Sequence, residues 1–294
     1  MARIIELRVD QLEPGQVVHA VARAIARGDW VRGGADGQID TAKLGPGQAA
    51  AGQAGTGQAG TGQASGQPGA IQQAGGHQGE DGQRAYSQGA ASLGASNQAS
   101  GGDDDAIYVV LLTTQGCDFV GCGLKDLLKA ETGASVGAYG FANTDNCECV
   151  VQGNAGDYFG HSQVSGTLTV MGSVSDSLGA MAIGGLNVVL GDAGNRAGVS
   201  LRGADLLVRG DVGSHAGYRM ESGTLVIGGN AGPNLGAQMR GGSIYIRGEA
   251  QSISSDIEEA RLREPDRLKL SLLLMKAGIR ASALKEFRVY RKPD

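Results

Sequence analysis

The sequence has little aromatic character. Only 4% of its 294 residues are Phe, Trp or Tyr, and Trp30 is the single tryptophan. Neither a stacking platform for single-stranded nucleic acid nor a large aromatic-lined ligand pocket is therefore expected. An excess of charge of one sign is also missing: 25 Lys and Arg against 30 Asp and Glu give a net charge of -5, with no basic stripe for nucleic acid or an anionic membrane. Four cysteines make no disulfide framework in a chain of this size, which agrees with a reducing compartment. No apolar run approaches the roughly 20 residues of a membrane span, the longest candidate being AIYVVLL at 106–112. The opening MARIIELRVD lacks the apolar core of a secretory signal. A soluble cytoplasmic protein is the expectation.

Glycine is what the chain has in quantity, and it recurs to a rule. Gly153, Gly172, Gly191, Gly210, Gly229 and Gly248 follow one another at 19 residues without an insertion. Gly160, Gly179, Gly198, Gly217 and Gly236 keep the same step, as do Gly156, Gly194, Gly213 and Gly232, with Ser175 standing in once. Gly166, Gly185, Gly223 and Gly242 form a fourth series, displaced by one residue at Gly203. Before each leading glycine lies a β-prone run: TLTVM, LNVVL, DLLVR, TLVIG and SIYIR, whose alternating apolar residues predict strands with one buried face. One strand and several fixed turns per short repeat define a solenoid, in which each coil buries its apolar face against its neighbours. The expected fold is all-β, a right-handed parallel β-helix over 106–252.

Successive coils stack at about 4.8 Å, so a corner with positive φ must recur in each of them, and glycine adopts it without steric cost. Asn154, Asp192, Asp211 and Asn230 follow the leading glycines, where short polar side chains satisfy turn backbone groups. A calcium role for these residues needs a nine-residue period that is absent. A phosphate-binding loop would occur once, between a strand and a helix, whereas this pattern returns in every coil.

Outside the repeats, residues 1–35 read as a small α/β module: an edge strand in ARIIELRV, then apolar residues at helical spacing in QVVHAVARAIAR at 16–27. His19 lies there as a surface residue. Over 45–102 the composition collapses to Gly, Gln, Ala and Ser, with Ile71, Tyr86 and Leu93 the only large apolar residues; such a stretch cannot offset the entropy of ordering it and is expected to be a disordered insertion. AIYVVLLTTQ at 106–115 predicts a buried strand, and Leu124, Leu127 and Leu128 a short amphipathic helix.

Cys117, Cys122, Cys147 and Cys149 are the candidate metal or cluster ligands, but C-x4-C followed by C-x-C matches no common pattern, and a strand would point Cys147 and Cys149 into the core together. His161 and His215 stand at different places in their repeats and lack a recurring serine, cysteine or carboxylate partner. No catalytic, cofactor-binding or metal residue is assigned. After Gly248, Ser255 and Glu258 predict a capping box for one helix, and Pro265 the first turn of a second. Leu268, Leu272 and Met275 share a face of that second helix, and Gly278 ends it. Residues 253–294 are thus expected to form a helical cap that shields the last strand, with EFRVY at 286–290 adding a terminal strand or docking on a partner.

The G-x-x-G-x-x-x-G units GNAGDYFG, GDAGNRAG, GDVGSHAG and GNAGPNLG resemble the glycine-repeat (GXGXG) β-helix domain that closes the large subunit of glutamate synthase. RGEAQSI, EARLREPDRLKLSLLLMKAGI and EFRVYRKP resemble its free-standing form, a subunit of glutamate-synthase-like and N-methylglutamate-synthase-like enzymes. The resemblance implies a noncatalytic subunit that holds a glutamine amidotransferase unit, which releases ammonia, and an FMN-dependent synthase unit with an iron–sulfur cluster. FMN and the cluster would belong to those partners and none to this chain, which has no cysteine nucleophile at position 2 and no barrel. The C-subunit of formylmethanofuran dehydrogenase carries a similar repeat, so a formyl-transferring complex is the alternative. A self-assembling binding solenoid and a cysteine-based metalloenzyme are the remaining readings.

Overall fold

The 19-residue step brings chemically alike residues into register one coil apart, and parallel strands follow from it. The computed structural model describes residues 3–8, 20, 23–24, 107–112, 116–125, 128–276 and 278–293. The chain divides into two units, Met1–Gly33 with Asp103–Asp294 and Gly34–Gly102, and every described residue belongs to the first. The insertion expected at 45–102 and most of the module at 1–35, His19 included, lie outside the described residues; Ala20, Arg23 and Ala24 are helical.

Among the described residues, nine strands stack in parallel: β1 (Arg3–Arg8), β2 (Ile107–Leu112), β3 (Leu128–Thr132), β4 (Cys147–Val151), β5 (Gly166–Val170), β6 (Leu186–Val189), β7 (Arg202–Val208), β8 (Ser222–Ile227) and β9 (Ser243–Ile246). Their register joins like to like, as in Leu206 beside Leu225 and Leu225 beside Ile244. A second side is stitched by single parallel bridges, Val136 to Ala155 to Val174 to Ala193 to Val212 to Ala231 to Ala250. The chain is a parallel β-solenoid. Leu168, Leu206, Leu225 and Ile244 fill its interior and are wholly buried. Each such side chain contributes about 1.5–3 kcal/mol by leaving water, and only a neighbouring coil can bury it.

The strands are not all one-sided. Val188, Leu207, Val226 and Tyr245 point out of the coil and are buried again, beneath the C-terminal segment. That segment is a short strand β10 (Glu258–Ala260), one α-helix α1 (Glu264–Lys276), a 3-10 turn at Ala281–Glu286 and strand β11 (Arg288–Arg291). β11 pairs antiparallel with β9, and β10 with β11, so the backbone edge of the last coil is covered as expected, but mainly by strands.

Three local expectations are corrected. Leu124, Leu127 and Leu128 form no helix: residues 121–123 are a turn, Lys125 bridges to Asp145, and Leu128 opens β3, while Leu127 lies outside the described residues. Pairing with neighbouring coils satisfies the backbone of this segment better than one isolated helical turn could. The capping box at Ser255 and Glu258 is absent, because Glu258 enters β10; Ser254 Oγ instead donates to Asp256 Oδ2 at 2.7 Å. The cap sits eight residues on, where Asp266 Oδ2 accepts from the backbone N–H of Arg263 at 2.8 Å, with Pro265 in the first turn. α1 also turns the other way: Leu270, Leu273 and Leu274 are buried, while Leu268, Leu272 and Met275 are exposed. Gly278 ends the helical run with φ +67°.

Candidate functional site

One side of the solenoid is a run of turns in which alternate residues take left-handed backbone. In the coil of β5 these are Tyr158 (φ 59°), Gly160 (φ 65°) and Ser162 (φ 53°), and the same triplet recurs as Arg196, Gly198 and Ser200, then His215, Gly217 and Arg219. The middle residue faces inward, where Gly217 has no room for a side chain: a Cβ would stand 2.6 Å from Ile244 Cδ1. In these three coils the flanking residues are half-buried or exposed and differ from coil to coil, whereas Ser177 of the intervening coil is buried.

The leading glycines serve a different purpose from the expected one. A Cβ on Gly210 would lie 2.0 Å from Asp192 Oδ1 and 2.8 Å from the Gly191 carbonyl. Close approach of backbones, rather than positive φ, requires glycine there. It makes room for a ladder in which each coil's turn side chain accepts from the next coil's backbone N–H. Ser173 N–H donates to Asn154 Oδ1 at 2.9 Å, Asp211 N–H to Asp192 Oδ1 at 2.8 Å, Asn230 N–H to Asp211 Oδ1 at 2.6 Å and Glu249 N–H to Asn230 Oδ1 at 3.0 Å. The turn residues singled out from sequence thus satisfy backbone groups, as expected.

The cysteines do not converge. Cys147 and Cys149 point into the core from β4, burial raising the Cys149 thiol well above its ordinary pKa with the nearby Cys147 adding to it. Cys117 packs against the same core from a bridge to Val136, and Cys122 is half-buried in a turn, its pKa also raised by burial. None of the four forms a disulfide. Among the described residues no three or more His, Cys, Asp or Glu side chains are gathered to hold a metal.

His161 and His215 are on separate ladders. Burial lowers the pKa of His161, which sets its edge against Tyr139 and Tyr158 at 5.7 and 6.1 Å between ring centroids. Those tyrosines belong to a stack missed in the sequence reading: Phe119 and Tyr139 lie 5.3 Å apart, Tyr139 and Tyr158 4.8 Å apart, with rings nearly parallel. Their spacing of 20 and 19 residues was the available signal. Farther along the same ladder, His215 approaches Asn234 Nδ2 at 3.3 Å. An open groove of about 650 Å³ passes Arg196, His215, Tyr218 and Gln238.

A second missed feature lies inside. Asn187 replaces the leucine of the inward ladder between Leu168 and Leu206, and its Nδ2 donates to Gln163 Oε1 at 2.6 Å, both residues being wholly buried. Gln163 Nε2 in turn donates to the carbonyls of Ser165 and Gly166 at 3.3 Å each, pinning the approach to β5. The polar residue at an inward position of LNVVL was its signal.

The groove offers hydrogen-bonding and charged side chains, those of Arg196, Ser214, His215, Tyr218 and Gln238 among them. Among the described residues no helix is long and apolar enough to cross a membrane. A search of curated proteins finds no match. A family model described as the GXGXG motif matches residues 119–270, from the first turn of the stacked aromatics to the middle of α1. Over that span, more than half of its length, the chain belongs to the GXGXG motif family that closes glutamate synthase.

Proposed function

We propose that this chain is a free-standing, noncatalytic subunit of a glutamate-synthase-like enzyme, a rigid spacer between an ammonia-releasing glutamine amidotransferase subunit and an FMN-dependent synthase subunit that carries an iron–sulfur cluster. The observation that carries the reading is the family match over 119–270 on a solenoid whose repeated glycines and turn side chains serve the backbone. The ladder side chains accept N–H groups, the glycines allow close approach, and the buried apolar residues fill the coil. Each is used up in holding shape. A solenoid held by continuous parallel pairing resists bending, which suits a part that fixes the distance between two catalytic units. FMN, the cluster and the amidotransferase nucleophile are assigned to the partners.

Reconstitution tests it. The amidotransferase-type and synthase-type chains, expressed with and without this one, are expected to assemble and to couple glutamine hydrolysis to the reductive step only when it is present. Full assembly and coupled turnover in its absence would remove the proposal.

A further inference from the structure

The turn face changes character along the solenoid. Its first coils carry the stacked Phe119, Tyr139 and Tyr158, followed by Val164, Met181 and Ile183, which are 41%, 39% and 51% exposed. Val164 and Ile183 are equivalent residues of successive coils, and Met181 lies two residues from Ile183. Large apolar side chains gathered in this way mark contact surfaces. In the next coils the same columns turn basic. Arg202 and Arg240 continue the column of Val164 and Ile183, Arg219 that of Met181, and Arg196 that of Tyr158. In the later coils these columns hold two acids, Glu221, 3.5 Å from Arg202, and Asp256, which follows Gln238 and whose Oδ2 accepts the Gln238 N–H at 2.7 Å. Arg196, Arg219 and Arg240 make no ion pair among the described residues. Around the aromatic end Asp118, Asp157 and Asp176 each accept a backbone N–H from the following coil, and Asp145, which precedes Val164 in its column, accepts from Ser165 Oγ at 2.7 Å. On a chain of net charge -5, this face is an apolar patch continued by a cationic one.

We propose that this face is a docking surface for a different protein, one whose contact area carries an apolar projection bordered by carboxylates. Charge selects that occupant. A second copy whose columns ran parallel across a two-fold axis would oppose arginine to arginine, and one running antiparallel would set arginines against the apolar residues. The assignment rests on the reading of this chain as one subunit of a complex, and it names the side through which a partner is held.

The test uses the full chain, affinity-tagged and co-expressed with the amidotransferase-type and synthase-type chains of the same genome. The paired substitution Met181→Glu with Ile183→Glu, and separately Arg196→Glu with Arg219→Glu, is expected to weaken retention of one partner by about tenfold or more, with wild-type retention falling as salt is raised. Leu272→Glu, on the exposed side of α1, is expected to retain it. Hydroxyl-radical labelling of Met181 needs no substitution: Met181 is expected to be labelled in the free chain and protected in the assembly. Partners retained equally by both paired variants, or Met181 labelled alike in both states, would overturn the docking face while leaving the subunit reading intact. A Met181 already protected in the free chain would overturn it as well, and so would a chain that dimerises on its own and is made monomeric by the paired substitutions. A wild-type chain that retains neither partner would overturn the subunit reading and this inference together.

Discussion

Arg291, on the last strand, and Asp266, in the first turn of α1, form an ion pair to which Tyr245 donates a hydrogen bond at 3.0 Å through its phenol. Three chain segments far apart in sequence meet at this carboxylate, and Arg291 Nε also reaches Ser243 Oγ at 2.7 Å. The closing segment is therefore latched to β9 by charge as well as by pairing. Burial would raise the Asp266 pKa, but hydrogen bonds from Arg263 N–H, Arg291 and Tyr245 outweigh it and hold the carboxyl below its ordinary value. The sign follows: its contribution is complete above pH of about 4 and is lost as pH falls through the lower native value.

Asp266→Asn is expected to lower the thermal midpoint by several degrees at pH 7, about 2–3 kcal/mol for a charge-assisted, largely buried network. The gap between wild type and variant is expected to narrow toward pH 3. Thermal scans across that range check it, and a gap of constant size would contradict the assignment.

Leu274 and Leu272 lie on opposite sides of α1, one wholly buried over the sheet and the other 54% exposed. Leu274→Ala is expected to cost about 2–5 kcal/mol and Leu272→Ala less than about 0.5 kcal/mol. Urea denaturation midpoints separate them. Equal costs would mean that the helix packs otherwise.

That pair also marks a limit of what was legible in the sequence. Leu268, Leu272 and Met275 recur at helical spacing, but so do Leu270, Leu273 and Leu274, and periodicity alone cannot choose between two apolar sides of one helix. The choice is made by Leu207, Val226 and Tyr245, whose outward exposure on the strands needs covering. The repeat itself was legible from Gly153 onward because stacked coils must share their corners. Earlier coils were obscured by a step of 20 residues, as between Lys125 and Asp145, and by the missing leading glycine. Ser255 and Glu258 match a capping pattern that tertiary pairing with β11 overrides.

Gly210 and Gly198 separate the two uses of glycine. Alanine at 210 would strike Asp192 Oδ1 and the Gly191 carbonyl and break the Asp211 N–H bond, whereas alanine at 198 meets Leu206 Cδ1 at 3.3 Å and Leu225 Cδ2 at 3.8 Å, with a backbone at φ +72°. Gly210→Ala is expected to cost roughly 3 kcal/mol through displaced backbone and a lost hydrogen bond. Gly198→Ala is expected to cost about 1–2 kcal/mol from left-handed backbone. Chemical denaturation of the two variants decides, and the reverse order would show that conformation outweighs close approach.

Gln163 and Asn187 form a polar contact within the coil, and Asn187 Oδ1 has no partner of its own among the described residues. Gln163→Ala is expected to cost about 2–4 kcal/mol, since it leaves the Asn187 amide buried and unpaired beside a cavity. Adding Asn187→Leu is expected to recover part of that loss by restoring the apolar ladder of Leu168 and Leu206. A double-mutant cycle measures the coupling; strictly additive effects would contradict the pairing.

The central claim is that this chain holds shape for chemistry done elsewhere. Isolation of the tagged full chain from its own cells, with mass identification of what is retained and a visible spectrum before and after dissociation, tests it most directly. The expected result is an amidotransferase chain and a flavin-bearing synthase chain in the preparation, with the flavin and cluster absorbance leaving with the partners. Recovery of the chain alone, or of a separated chain that keeps the absorbance and turns over substrate, would contradict it.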